Sequence, residues 1–471
     1  MKCSIDVFIK DYSKAIEDGY AAVFAGAGLS RPSGYVNWRE LLEPFANEIN
    51  LDVNKEHDLL AIAQYYYNKC GNRGKVNQAI LNEFTKDTRE NENIDIITRL
   101  PIGIYWTTNY DNLIERGLEK NNRKPDVKIS EESLANNIVN RDAVVYKMHG
   151  DILDPSKTVL LKDDYEAYST DHQLYITALQ GDLISKTFMF IGFSFDDPNM
   201  NSILARIRVL LGSSVRNHYC LLETVKQGES NDEVFQYKKA KQELIIQDLQ
   251  RYGIQAVMLD DYSQIPSILL ELERRCKMRN IFISGSIGEA IEGWTYDDIM
   301  LFSHKLSRKL ISENYRVISG FGLGIGSSVI NGALEEIKSS KYKRISDFLI
   351  LRPFPQFITG ESKSLAEEWT EYRKDMITQS GIAIFMFGNK RMPDGSIQIA
   401  NGMLEEFELA NKQNKCIIPI GITGGAAKVI YDIMENEKNK YPYLVPYLKD
   451  LAEEKNQDKL ISIIIKCLRT I

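Results

Sequence analysis

An apolar run that ends on glycines and gives way to a polar, helix-patterned stretch is the repeating unit of a parallel α/β sheet, and this chain carries that unit from end to end, restarting once. A helix-like segment over residues 6–18 leads into a strand at 20–24, which runs into Ala25-Gly26-Ala27-Gly28. Further apolar runs recur at 103–107, 143–147, 187–191, 218–222 and 256–259, with helix-patterned stretches between them. The highly charged stretch 226–250 reads as a solvated helix. A charged helix over 267–275 closes the first half, and a boundary is expected at 276–280. The pattern then begins again. Runs at 280–283, 316–319, 348–351, 382–387 and 416–419 end respectively in Ser284-Gly285-Ser286, Gly320-Phe321-Gly322-Leu323-Gly324-Ile325-Gly326, Arg352-Pro353, Gly388-Asn389-Lys390 and Ile420-Gly421.

Strands alternating with helices in this way predict an α/β chain of two Rossmann-like parallel-sheet domains, 1–277 and 278–471. The length of 471 residues admits two large domains or three ordinary ones, and the restart decides for two. Lys and Arg number 58 against 65 Asp and Glu, a net charge of −7. A sequence-independent nucleic-acid binder needs a basic face, so no nucleic-acid partner is expected. The six cysteines form no Cys-x-x-Cys pair and only five histidines accompany them. A zinc module or disulfide scaffold is therefore not expected, no metal is expected, and a reducing cytoplasm fits best. Residues 1–14 alternate charged and apolar side chains, unlike a signal peptide, and the longest apolar runs are too short to span a bilayer.

Glycines at a strand end let the backbone approach a pyrophosphate, and the helix that follows offers free N–H groups to its charge. Gly26 and Gly28 fit that chemistry, though a tight structural turn needs the same residues. The run Gly26-Ala27-Gly28-Leu29-Ser30-Arg31-Pro32-Ser33-Gly34-Tyr35-Val36-Asn37-Trp38-Arg39 resembles the opening motif of sirtuins. Thr107-Thr108-Asn109-Tyr110-Asp111, Lys147-Met148-His149-Gly150-Asp151 and Gly192-Phe193-Ser194 are similar to three later sirtuin motifs, in the same order. The resemblance covers about residues 1–275. It implies NAD+ as substrate, contacts from Ala25, Gly26, Ala27, Gly28, Ser30, Arg39, Thr108, Gly192 and Ser194, and a catalytic group of Asn109, His149 and Asp111. The chain departs from sirtuins at Thr108, where they have glutamine, at Asn37, where they have aspartate, and in lacking their four-cysteine zinc module.

Breaking the nicotinamide–ribose bond builds positive charge on the sugar. Asn109 offers an amide to a ribose hydroxyl or to water, Asp111 a carboxylate to the developing charge, and His149 a base that titrates near neutral pH. With water as acceptor the products are ADP-ribose and nicotinamide. Each residue has a structural reading too: Asn109 and Asp111 suit helix caps, and His149 before a glycine suits a turn.

In the second half the glycine loops at 284–286 and 320–326 fall on one edge of the expected sheet. Arg373, Lys390 and Glu406 suit the phosphates and hydroxyls of a nucleotide there, if they are not surface helix residues. The Ser-Gly-Ser loop, the Gly320–Gly326 loop, Arg352-Pro353-Phe354-Pro355 and Tyr372-Arg373-Lys374-Asp375-Met376 resemble the SLOG nucleotide-sensing domain. The related phosphoribohydrolases carry Pro-Gly-Gly-x-Gly-Thr-x-x-Glu. Here Ala400-Asn401-Gly402-Met403-Leu404-Glu405-Glu406 has neither the proline nor the glycine cluster, which favours sensing over hydrolysis.

The whole arrangement resembles the sirtuin-like/SLOG effectors of the Thoeris anti-phage defence system. That resemblance implies an NAD+ hydrolase activated by a cyclic ADP-ribose isomer (glycocyclic ADP-ribose), which a TIR-domain partner protein makes. It implies signal contacts from Gly285, Ser286, Phe321, Gly322, Leu323, Gly324, Arg373, Asn389, Lys390 and Glu406. It also implies a homo-oligomer, a tetramer or a higher assembly. The alternatives are an NAD-dependent deacylase or ADP-ribosyltransferase, and a non-catalytic nucleotide sensor.

Overall fold

Strands covered on both faces must be apolar along their whole length, and the central strands of this chain are. In a computed structural model, which describes residues 3–212, 216–228, 231–355, 357 and 364–471, Ala21–Ala25 (β1) and Thr187–Ile191 (β5) are buried at every position. The chain divides into two units, Met1–Glu273 and Arg274–Ile471.

The first unit is built on a seven-stranded parallel sheet. Its other strands are Ile104–Thr107 (β2), Pro125–Lys128 (β3), Ala143–Lys147 (β4), His218–Glu223 (β6) and Ile254–Leu259 (β7), in the order β3-β4-β2-β1-β5-β6-β7. The order reverses at β1, so the chain passes outward on one side of it through β2 and on the other through β5. A crevice opens at such a switch point, outside the carboxyl ends of the strands. After the one-turn helix Ala27–Ser30, the longer helices Trp38–Glu48, Leu59–Cys70, Gly74–Phe84 and Glu92–Arg99 intervene between β1 and β2. Leu42, Phe45, Tyr66 and Ile80 from these helices form an apolar cluster with Tyr110 and Leu160, over the carboxyl end of β2. The charged stretch expected as one helix is helical over Asp232–Gln250. Glu229 and Ser230 lie outside the described residues.

The second unit holds five parallel strands, Asn280–Ser286 (β8), Arg316–Ser319 (β9), Leu349–Leu351 (β10), Ile382–Phe387 (β11) and, last in the chain, Cys416–Pro419 (β14). Their order is β10-β9-β8-β11-β14, reversing at β8. Asn389–Arg391 (β12) and Ile397–Ile399 (β13) pair antiparallel as a separate ribbon beyond β11. Every residue of β11 is buried. The α/β class with two parallel sheets is thus as the strand pattern predicts.

Candidate active site

The first glycine loop is a close crossing of two backbones. Gly26 and Gly28 donate their N–H groups to Ile191 O and Gly192 O at 3.0 and 2.9 Å. A Cβ on Gly26 would stand 2.4 Å from Gly192 O, and one on Gly192 would stand 2.2 Å from Leu29 N. The loops that leave β1 and β5 touch because neither carries a side chain there. The amides of Gly26 and Gly28 are therefore engaged by the neighbouring loop, the structural use that glycines at this turn also allow. Ser194, beyond this crossing, is exposed.

Next to the crossing is a chain of hydrogen bonds. Asn109 Nδ2 donates to Gly26 O and to Ser30 Oγ, both at 3.0 Å. Ser30 Oγ donates in turn to Asp111 Oδ2 at 2.7 Å. The Asn109 N–H is held by Thr107 Oγ1, which itself donates to Ala25 O. Asn109 is therefore not a helix cap: its amide reaches across to the loop of β1. Asp111 also accepts from Leu113 N, the first N–H of the helix Leu113–Lys120, at 3.1 Å, although Asn112 is the residue at the cap position. Burial raises the Asp111 carboxyl, while the Lys147 ammonium and the Ser30 hydroxyl pull it back.

Ser30, Asn109 and Asp111 line a pocket of about 20 Å³ with Ala27, Thr108, Tyr110, Tyr35, Trp38 and Phe84 among its walls. Ligand pockets run to roughly 300–1,000 Å³, so this one has room for a water and not for a dinucleotide. Arg39 and His149 are not among the lining residues. The Arg39 guanidinium is turned to the carbonyls of Val53 and Glu56. His149 follows β4, whose end is tied to β2 by Met148 N donating to Thr107 O. It is fully buried between the rings of Tyr165 and Tyr168. Burial holds its imidazole below the ordinary range, against the pull of Asp197.

Sequence reasoning did not assign roles to Lys147, Glu115 or Asp197. Lys147 Nζ, with no exposed surface, donates to Tyr110 O at 3.0 Å and Asp111 O at 2.5 Å. It pairs with Glu115 at 3.2 Å and with Asp151. One ammonium thus ties down the loop that carries Asn109. Its position inside the Lys147–Asp151 motif was the available signal.

The second unit has a comparable site. The loop after β9 lies on the end of β8: Ile287 N donates to Leu323 O at 2.8 Å, and a Cβ on Gly322 would meet Gly285 O at 2.0 Å. That packing leaves Phe321, in the left-handed region at φ +55°, and Leu323 more than half exposed. Ser284 Oγ donates to the buried Glu406 at 2.6 Å. Arg373 pairs with Glu405 at 2.7 Å and stands 3.5 Å from Glu406, its guanidinium over the Phe354 ring. Arg373 and Glu406 therefore meet. Burial pushes the Glu406 carboxyl up to about 7, against Ser284 and Arg373. Ser286 Oγ donates to Asn389 O, and the Asn389 amide holds Gly288 and Glu289. Lys390 follows on β12, partly exposed. Among the described residues no cluster of His, Cys, Asp and Glu is fit to hold a metal, and no helix is long and apolar enough to cross a membrane.

Two parallel sheets, each with a close glycine crossing at its switch point, define a two-unit protein of the doubly wound α/β class. Residues 103–246 match the SIR2-like domain family and residues 264–471 the Sir2- and TIR-associating SLOG family. The chain is 47% identical to NAD(+) hydrolase ThsA of Bacillus cereus (strain MSX-D12), over 97% of this chain and 95% of that protein. It is 44% identical to NAD(+) hydrolase ThsA of Cytobacillus dafuensis, over 98% and 96%. A match to Defense-associated sirtuin 2 of Bacillus subtilis, 28% identical, covers 56% of this chain and 26% of that one. The chain belongs to the ThsA family.

Proposed function

We propose that this protein hydrolyses NAD+ to nicotinamide and ADP-ribose in defence against phage, and that a nucleotide signal bound in the second unit switches the reaction on. The observation that carries the reading is the Asn109–Ser30–Asp111 chain at the carboxyl ends of β1 and β2. It offers one amide and one carboxylate at the place where a parallel sheet binds nucleotides. The names of the relatives support NAD+ as substrate.

In the reaction a water oxygen bonds to the ribose carbon as its bond to nicotinamide breaks. The bonding pair leaves with the pyridine nitrogen, so nicotinamide departs neutral. Asn109 orients the water or a ribose hydroxyl, Asp111 offsets the positive charge that develops on the sugar, and His149 takes the proton. Ala25, Gly26, Ala27, Gly28, Ser30, Arg39, Thr108, Gly192 and Ser194 make up the dinucleotide site. Carbonyls occupy the Gly26, Gly28 and Arg39 donors, so substrate entry includes rearrangement of this loop. A pocket of about 20 Å³ supports an enzyme that is closed until signalled.

The signal is a cyclic ADP-ribose isomer made by a TIR-domain partner. Gly285, Ser286, Phe321, Gly322, Leu323, Gly324, Arg373, Asn389, Lys390 and Glu406 receive it: exposed Phe321 and Leu323 meet the base, and the cations meet the phosphates. The family description, Sir2- and TIR-associating, supports that pairing. The active protein is a cytoplasmic homo-oligomer. Hydrolysis carried out in 18O-labelled water tests the acceptor. Product ADP-ribose that gains one 18O supports the reading. Turnover that requires an acylated peptide, or that leaves ADP-ribose on protein, contradicts it.

A further inference from the structure

We infer that Asp197 is the positioning residue of His149, holding the imidazole in place and stabilising the imidazolium that forms when it takes the proton. This rests on the reading of His149 as the base. Asp197 lies in the loop after β5, far along the chain, yet its Oδ2 stands 3.2 Å from His149 Nε2. The pair is buried, with the two side chains 1% and 10% exposed. The contact lies off the N–H direction, so neither ring nitrogen of His149 has a hydrogen-bond partner among the described residues. A small turn of the ring aligns Nε2–H with the carboxylate and leaves Nδ1 as the open acceptor. Catalytic hydrogen bonds commonly tighten in this way when substrate arrives.

The carboxylate is itself fixed. Its Oδ1 accepts from Met200 N at 2.9 Å, capping the helix Pro198–Leu211, and Tyr165 Oη approaches Oδ2 at 3.5 Å. The loop passes through Phe195 at φ +62°, a conformation that a bulky residue adopts only when its surroundings impose it. The titratable groups that face His149 are Asp197, Asp164, His172, Tyr165 and Tyr168. Asp164 is occupied by Arg73 at 2.9 Å. Asp197 alone, among the described residues, is within ion-pair distance. In sequence Asp197-Pro198 reads as a helix cap with proline behind it, which hides the second use.

The test compares wild type, Asp197→Asn and His149→Ala as full chains. Asparagine keeps the capping oxygen and the volume and removes the charge. With the isomer activator present, Asp197→Asn is expected to lower kcat by roughly 100-fold with KM little changed. The acidic limb of its rate profile moves to lower pH, because the carboxylate no longer favours the charged ring. NMR of ring-labelled histidine reads the same shift without turnover: His149 titrates at lower pH in Asp197→Asn than in wild type. If Asp197→Asn does not fold, Asp197→Ser, which also caps, replaces it. Equal His149 titration in the two proteins overturns the inference, whether or not kcat falls. Full activity in His149→Ala instead overturns the reading of His149 as the base, and the NMR shift still measures the pairing.

Discussion

Lys147 shows at the scale of one residue how much of this site is held by charge that water never reaches. Removing its ammonium leaves Glu115 and Asp151 buried without their partner and frees the carbonyls of Tyr110 and Asp111. Lys147→Met is therefore expected to destabilise the first unit by about 3–5 kcal/mol. Urea unfolding followed by circular dichroism measures this, and a loss below ~1 kcal/mol contradicts it. Gly192 makes the same point without charge. It sits at φ +65° with Leu29 N where a Cβ would go. Gly192→Ala must part the two loops, and loss of NAD+ binding by calorimetry is the expected result. Wild-type affinity would show that the crossing is not part of the site. Asn109 and Asp111 could be singled out from sequence because their motif is local. Asp197 could not be paired with His149, because they come from different strand ends and a helix cap explains the aspartate.

Strands are the most legible elements of the chain, for a physical reason. Burial on both faces demands unbroken apolar runs, so β1, β4, β5, β9, β11 and β14 stand out within a residue or two at either end. β3 does not. Its Pro125-Asp126-Val127-Lys128 has one apolar aliphatic residue, and it sits at the sheet edge, where Lys128 Nζ pairs with Asp126 at 2.9 Å with both side chains buried. An ion pair leaves no apolar signature. β6 carries a different hidden feature. His218 is buried, accepts from Phe188 N at 3.2 Å through Nδ1, and burial pulls its pKa down to about 3. The folded form therefore prefers the neutral ring. Its stabilisation is complete above the unfolded value near 6.5 and is lost as the pH falls from there toward 3. Wild type should lose stability over that window by on the order of 1 kcal/mol per pH unit more than His218→Gln, which keeps an acceptor and does not titrate. Parallel stability–pH curves from chemical denaturation would contradict this.

At the scale of the whole molecule, the two proposed nucleotide sites make sense in one chain if one controls the other. A ligand shifts an equilibrium only by its differential affinity for the two states, so the receiving site must be specific and the catalytic site closed beforehand. Arg373→Ala is expected to abolish the response to the isomer while NAD+ affinity and melting of the first unit stay unchanged. A retained response places the receptor elsewhere. Glu406 adds a pH dependence. Its carboxyl is raised to about 7, so it is neutral below that pH and negative above it. Affinity for an anionic signal should fall as pH rises through 7, and Glu406→Gln should flatten that dependence in calorimetric titrations. The restart of the strand pattern made the two sheets legible in the sequence. The proposed control of one unit by the other was not, since an equilibrium between states leaves no mark on any single motif.

Gated hydrolysis is tested most directly by nicotinamide release from NAD+ by the purified full chain. Release is measured with and without cyclic ADP-ribose isomers, in wild type and in Asn109→Ala. Release is expected only when an isomer is present, reduced at least ~100-fold in Asn109→Ala. NAD+ that binds without release under every isomer would contradict it, and so would equal release from Asn109→Ala.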